Sequence, residues 1–280
     1  MTLEITSKIK LNNGVEIPQL GFGTYQIPQG DETKQSVLWA LKAGYIHIDT
    51  AAYYGNEQSV GEAIRESGIS REKIFVTTKL KNDDHGYEKA LKAFDKSFEN
   101  LGLDYIDLYL IHWPVQKLKL DSWRALEEIL KSGRCKAIGV SNFTIKHLEE
   151  LIENSSIIPA VNQVEFSPYL NQKTLLKFCR SKEIYIEAYS PLTRGKKLND
   201  PLLIEISSKY SKTPAQILVR WALQKEIIVL PKSTHEERIQ ENSNVFDFEI
   251  SEEDMKKLNS MDENFRVCWN PETMNEDFGE

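Results

Sequence analysis

Residues 74–112 read IFVTTKLKNDDHGYEKALKAFDKSFENLGLDYIDLYLIH. The stretch opens with the β-branched run IFVTTK, passes through YEKALKAFDKSFENLG, whose Leu and Phe recur at three- and four-residue steps, and closes with a second run, IDLYLIH. A strand pattern gives way to a helical period and then returns. Gly102 falls where the helical pattern stops, as suits a helix end in left-handed backbone angles. Strand, helix and strand in this order form a βαβ unit, the connection that joins parallel strands.

The same alternation extends in both directions. Strand candidates are IPQLGF from Ile17, YIHID from Tyr45, IFVTTK from Ile74, IDLYLIH from Ile106, KAIGVS from Lys136, AVNQVEF from Ala160, IYIEAYS from Ile184 and IIVLP from Ile227. KQSVLWALKAG, SWRALEEILKSG and IKHLEELIENS supply further helical patterns, with Gly44, Gly68 and Gly133 as additional stops. Asn13-Gly14 lies between two alternating runs and suits a type I′ hairpin turn. SEEDMKKLNSM reads as a last helix with Ser251 as its N-cap. No linker or internal repeat interrupts the pattern. The fold expected is an α/β (β/α)8 TIM barrel with an N-terminal β-hairpin and an extra C-terminal helix, one domain over residues 1–280.

Composition narrows the partners. Lys and Arg number 35 against 42 Asp and Glu, a formal net charge of −7, and no basic run is present to follow a phosphate backbone. Nucleic acid is not expected as a partner. The N-terminus lacks a signal-peptide pattern, and no long uninterrupted apolar stretch exists, so no membrane partner and a cytoplasmic location are expected. Cys135, Cys179 and Cys268 form no Cys-x-x-Cys pair and read as structural thiols. No His/Cys/Asp group has metal-ligand spacing and no Gly-x-Ser-x-Gly elbow occurs. Gly21-Phe22-Gly23-Thr24-Tyr25 lacks the third glycine and the βαβ entry of a dinucleotide fingerprint.

Reactive groups of a parallel barrel lie at the carboxyl ends of its strands. Asp49 ends the second strand and runs into TAAYYG, which carries Tyr54; Lys79 ends the third and His112 the fourth. A carbonyl that accepts hydride becomes an alkoxide and needs a proton donor. A buried ammonium at Lys79 favours the phenolate of Tyr54 and so lowers its pKa, Asp49 balances that ammonium, and His112 donates to the substrate oxygen. Three of them have a structural alternative: Lys79 snorkelling at a strand end, His112 as a satisfied core histidine, Tyr54 as a packing residue. His47, on the same strand face as Asp49, is assigned to an interior barrel layer. A paired-carboxylate isomerase or glycosidase is disfavoured because no second carboxylate is expected to face Asp49. In PKSTHEERIQEN, Ser233 or Thr234 caps a helix whose first-turn amides face an anion, with Lys232 and Arg238 adding positive charge, which favours NADPH over NADH; the alternative is a solvated charged helix face.

From the hairpin to about Phe248 the chain resembles the aldo-keto reductase family, and its short-loop bacterial members above all. GFGTYQI, DTAAYYGNEQSVGEAI, TTKL, YIDLYLIHWP, RALEEILKSGRCKAIGVSNF, VNQVEFSPYL, AYSPL and PKSTHEERIQENSNVFDF carry the likeness. The resemblance implies that Asp49, Tyr54, Lys79 and His112 are a catalytic tetrad with Tyr54 as general acid. It further implies that Ser141, Asn142 and Gln163 hold the nicotinamide carboxamide and that Tyr189 stacks on the ring. Gly23, Thr24, Tyr25, Ser190 and Leu192 complete the cofactor wall, while Lys232, Ser233, Arg238 and Asn242 take the 2′-phosphate, with Glu241 on the adenosine side. The cofactor implied is NADPH/NADP+ and the activity is reduction of aldehydes or ketones. The rival within the fold is a non-catalytic NADPH-binding barrel that acts as a redox-sensing partner subunit.

The same likeness puts Tyr25, Tyr53, His112, Trp113 and part of the C-terminal tail around a small-molecule carbonyl substrate. By composition the tail from Asp262 to Glu280 is polar and acidic, with Phe265, Val267, Trp269 and Phe278 to anchor it. Lys81 stands where many relatives have tryptophan; it either turns an aromatic wall into a cationic one or points to bulk water. Ser167 replaces a frequent histidine and is expected to affect only its loop. A monomer is expected.

Overall fold

The computed structural model describes residues 3–273, so Phe278 lies outside the described residues. The N-terminal strands β1 (Lys8–Lys10) and β2 (Glu16–Pro18) pair antiparallel. The next eight are β3 (Phe22–Gly23), β4 (His47–Asp49), β5 (Phe75–Leu80), β6 (Ile106–Ile111), β7 (Cys135–Ser141), β8 (Val161–Glu165), β9 (Tyr185–Tyr189) and β10 (Ile228–Leu230). They lie side by side in chain order with parallel pairing throughout. The ring closes where Leu20 bridges Val229 and the amides of Gly21 and Gly23 donate to the carbonyls of Val229 and Pro231. The fold is a TIM barrel.

The helices are α1 (Asp31–Lys42), α2 (Glu57–Glu66), α3 (Tyr87–Leu101), α4 (Lys119–Lys131), α5 (Ile145–Glu153), α6 (Lys173–Ser181), α7 (Pro201–Lys209), α8 (Pro214–Gln224), α9 (Glu236–Ser243) and α10 (Glu252–Ser260). Two stand outside the strand–helix repeat. The C-terminal α10 starts at Ser251, whose hydroxyl accepts from the Asp254 amide. The other, α7, was not foreseen, although Asp200-Pro201 is a legible start signal: the carboxylate takes the Leu202 and Leu203 amides and proline occupies the first turn. Gly44, Gly68, Gly102 and Gly133 all have positive φ, as their places at helix ends require. Among the described residues no helix is long and apolar enough to cross a membrane.

The hairpin departs from the type I′ expectation. Gly14 has φ +86° but Asn13 is not in the left-handed region, and the Gly14 amide donates to Leu11 O while the Leu11 amide donates to Val15 O. This is a three-residue loop, a type I turn followed by a glycine, which one left-handed residue suffices to build. Leu11 and Ile17 of the hairpin then join Leu108, Leu110, Val161 and Ile228 in the apolar cluster inside the barrel. The amino end of the barrel is thereby plugged, and only the carboxyl end is left to open. The stretch from Ile17 accordingly divides: Ile17 and Pro18 serve the hairpin, Phe22 and Gly23 the barrel. Gly21 between them faces His47, and a Cβ there would lie 2.6 Å from the imidazole Nδ1.

Candidate active site

At the open end, Asp49 is the last residue of β4, Lys79 lies next to the end of β5, His112 follows β6, and Tyr54 closes a 3-10 turn, Ala52–Tyr54. Lys79 is fully buried, and its ammonium donates to both carboxylate oxygens of Asp49 at 2.7 Å and to the Thr50 carbonyl at 2.8 Å. Its Nζ lies 3.4 Å from the Tyr54 hydroxyl. The Tyr54 and His112 rings meet edge to face with centroids 5.6 Å apart. The loop that carries Tyr54 is held by buried Asn56, which donates to the carbonyls of Thr24 and Ile27 and accepts from the Thr50 hydroxyl. All four residues singled out in the sequence therefore come together.

Their electrostatics correct one expectation. The Tyr54 phenol is held well above its ordinary value, first by burial and then by the charge of Asp49, whereas a lowering by Lys79 was expected. The ammonium is already committed to Asp49 and Thr50, and burial penalises the phenolate. The phenol stays protonated and can act as a proton donor. His112 is held well below its ordinary value by burial, then by the positive charge of Lys79, and so is neutral at neutral pH.

A second correction concerns carboxylates. Glu187, fully buried on β9, shares the amide nitrogen of Gln163 with Asp49: Gln163 Nε2 donates to Asp49 Oδ2 at 2.9 Å and to Glu187 Oε2 at 2.6 Å. A carboxyl group therefore does stand near Asp49, but Glu187 is fully buried and is not among the residues that line the cavity. Burial, then the charge of Asp49, push Glu187 up to about 8, and burial lowers neighbouring His47 to about 3. His47 lies in the interior layer as expected, with Nε2 3.0 Å from Thr77 Oγ1. Period two along β9 placed Glu187 on the face of Tyr189, so its signal was present in the sequence.

Ser141, Asn142, Gln163 and Tyr189 form a connected wall. The Tyr189 hydroxyl donates to Asn142 Oδ1 at 2.7 Å, Asn142 Nδ2 donates to the His112 carbonyl at 3.0 Å, and the Ser141 hydroxyl donates to the Gln163 carbonyl at 2.8 Å. Asn142 has φ +63°, in the left-handed region that Asn tolerates better than most side chains. Thr24 is buried, with its hydroxyl on the Asp49 carbonyl.

These groups border a cavity of about 800 Å³. Gly23, Tyr25, Tyr53, Trp113, Ser190 and Leu192 line it, as do Arg266, Val267, Cys268 and Trp269 of the tail. Buried Glu165 pins that tail by accepting the amides of Val267 at 2.6 Å and Cys268 at 3.0 Å, and Trp269 packs against Trp113 with centroids 6.0 Å apart. Phe265 packs on the core. Cys268 therefore differs from buried Cys135 and Cys179, since its thiol belongs to the cavity wall beside Arg194. Lys81 is not in that wall: its ammonium pairs with Asp84 at 3.6 Å, and Asn82 and Asp83 line the cavity instead. Arg194, Lys196, Lys232 and Arg266 make much of the rim cationic in a chain of net charge −7. Arg194, Lys196 and Glu165 carry no motif that marks them in the sequence. Ser167 is buried and bridges Leu170.

The PKSTHEERIQEN segment also differs in detail. The N-cap of α9 is His235, with no side-chain cap, because the Ser233 hydroxyl accepts the His235 amide instead. The first-turn amides of α9 are thus left uncapped by side chains, beside Lys232 at the rim. Arg238 is exposed, Asn242 is buried, and Glu241 accepts from the Thr213 hydroxyl at 2.7 Å.

Known proteins resemble the chain in sequence and in fold. A sequence description of the Aldo/keto reductase family matches residues 19–263. An uncharacterized oxidoreductase of Bacillus subtilis is 51% identical over 97% of this chain and 99% of its own length. A glyoxal reductase of the same organism is 48% identical over 98% of this chain and 99% of its own. The crystal structure of a Bombyx mori aldo-keto reductase in complex with NADP superimposes with a TM-score of 0.89 at 38% identity, covering 95% of each chain.

Proposed function

Starting from the fact that the chain belongs to the Aldo/keto reductase family, we propose that it reduces small aldehydes, ketones, dicarbonyls or keto-sugars with NADPH, using Tyr54 as proton donor. The observation that carries this reading is the Tyr54 hydroxyl 3.4 Å from a Lys79 ammonium that is itself clamped on Asp49, at a cavity shared with His112. The name of the glyoxal reductase relative supports a small dicarbonyl as substrate.

NADPH suits the residues present. The cationic rim and the uncapped amides of α9 are chemically matched to its phosphates. Ser141, Asn142 and Gln163 would hold the carboxamide with Tyr189 against the ring, and Gly23, Thr24, Tyr25, Ser190 and Leu192 would flank it. Lys232, Ser233, Arg238 and Asn242 would hold the 2′-phosphate, with Glu241 toward the adenosine. When bound, the cofactor supplies the hydride for the carbonyl carbon.

His112, neutral, donates a hydrogen bond that orients the substrate oxygen. As negative charge grows on that oxygen, the Tyr54 phenol gives up its proton, and Lys79 stabilises the phenolate left behind. Asp49 balances the ammonium throughout, so the site gains no unpaired charge in its resting state. Tyr25, Tyr53, Trp113 and Trp269 give the substrate aromatic walls with few polar demands, which suits varied small carbonyls. The chain is taken to act as a cytoplasmic monomer folded as one domain.

Loss of NADPH absorbance with methylglyoxal, aromatic aldehydes and keto-sugars tests the reading. Wild type should turn over, and Tyr54→Phe should lose on the order of 10² or more in kcat while still binding NADPH. Tight NADPH binding with negligible turnover by wild type would replace it with the redox-sensing barrel.

A further inference from the structure

Glu187 stands directly across from Gln163, the two being register partners of β9 and β8. A primary amide nitrogen carries two hydrogens, and here Asp49 takes one and Glu187 the other. An ionised carboxylate such as Asp49 only accepts, so chemistry dictates that the nitrogen and not the oxygen of Gln163 points inward. Gln163 Oε1 then remains as an acceptor at the cavity that Gln163 lines, with no hydrogen bond among the described residues. The neighbouring Asn142 differs: its oxygen accepts from Tyr189, and its nitrogen donates to His112 O and Ser141 Oγ.

We propose that Glu187 is a positioning residue that locks the Gln163 amide with its oxygen toward the cavity, so that the site selects a dinucleotide bearing a primary amide N–H donor. The proposal rests on the NADPH reading above. Asp49 alone cannot produce this selection, because an amide held by one hydrogen can swing its second N–H into the cavity. Among the described residues Glu187 makes no other short contact: its Oε1 lies 3.5 Å from His47 Nε2 and has no hydrogen-bond partner. A buried carboxyl with one idle oxygen is costly unless its other contact is needed. Oε2 can accept from Gln163 whether or not the acid is ionised, so the lock does not depend on the state of the proton.

The test compares binding of NADP+ with its 3-acetylpyridine analogue, which keeps the carbonyl and loses the amide hydrogens, by quenching of tryptophan fluorescence in the full chain. Wild type should prefer NADP+ by about fivefold or more, the order of one hydrogen bond to a neutral acceptor. In Glu187→Ala that preference should fall below about twofold. Glu187→Gln, whose amide oxygen can still accept from Gln163, should restore it. An equal affinity of wild type for both ligands overturns the proposal without any variant, and so does a Glu187→Ala protein that keeps the full preference. Failure of wild type to bind NADP+ at all would instead sink the NADPH reading, together with everything that rests on it.

Discussion

Lys79 holds Asp49 by two hydrogen bonds of 2.7 Å, in a place where neither side chain has meaningful contact with solvent. Replacing Lys79 by Met strands a carboxylate whose remaining side-chain donor is Gln163. Such a rupture typically costs roughly 3–5 kcal/mol. Urea denaturation of Lys79→Met should show a loss of that order, and the double variant Asp49→Asn/Lys79→Met should recover part of it. A double variant no more stable than the single one would mean that the pair is not the cause.

Activity should be insensitive to pH across the neutral range. Burial raises the Tyr54 phenol above its ordinary 10.0, so the proton donor remains loaded, and burial lowers His112 below 6.5, so it remains neutral. The kcat for carbonyl reduction at saturating NADPH should be level between about pH 6 and 9. A limb near pH 6.5 that disappears in a His112 variant would contradict the assignment of a neutral imidazole.

Stability should carry the signature of Glu187. Its folded value of about 8 lies above the ordinary 4.5, so the native state binds the proton more tightly than the unfolded chain. Linkage then makes this contribution complete below about 4.5 and progressively lost as pH rises to about 8. The Tm of Glu187→Gln relative to wild type should therefore climb between those limits and level off above them. A difference that is constant with pH would show that folding does not change the proton affinity of Glu187.

Coenzyme preference should depend on the α9 end of the cavity. Lys232→Ala and Arg238→Ala each remove a charge assigned to a group that only NADPH has, so each should weaken NADPH by about tenfold or more and leave NADH nearly unchanged. Titrations of both coenzymes decide the matter: equal weakening would move these residues to the shared pyrophosphate.

Much of this molecule was legible without coordinates because its signals are local. Alternating periods located all eight barrel strands, helix-end glycines marked the stops, and Ser251 announced α10. Polar residues at strand ends identified Asp49, Lys79 and His112, since parallel strands deliver their carboxyl ends to one face. Where several local solutions are compatible with the same residues, reading stopped short. Asn13-Gly14 permits more than one tight turn, and Ser233 can cap a helix or simply brace the His235 amide.

What the chain determined by itself is thus its period, its punctuation and the chemistry stored at each strand end. Only tertiary structure decided which distant groups share a proton, an amide or a wall. Glu187 meets Asp49 through Gln163 because three separate strands turn the same face inward, and Glu165 anchors Val267 across 102 residues of chain. Lys81 falls outside the cavity wall that the family likeness suggested, for its ammonium finds Asp83 and Asp84 beside it. The direction of the Tyr54 shift was likewise beyond sequence, because desolvation is a property of how much protein surrounds a group and not of which residue is its neighbour.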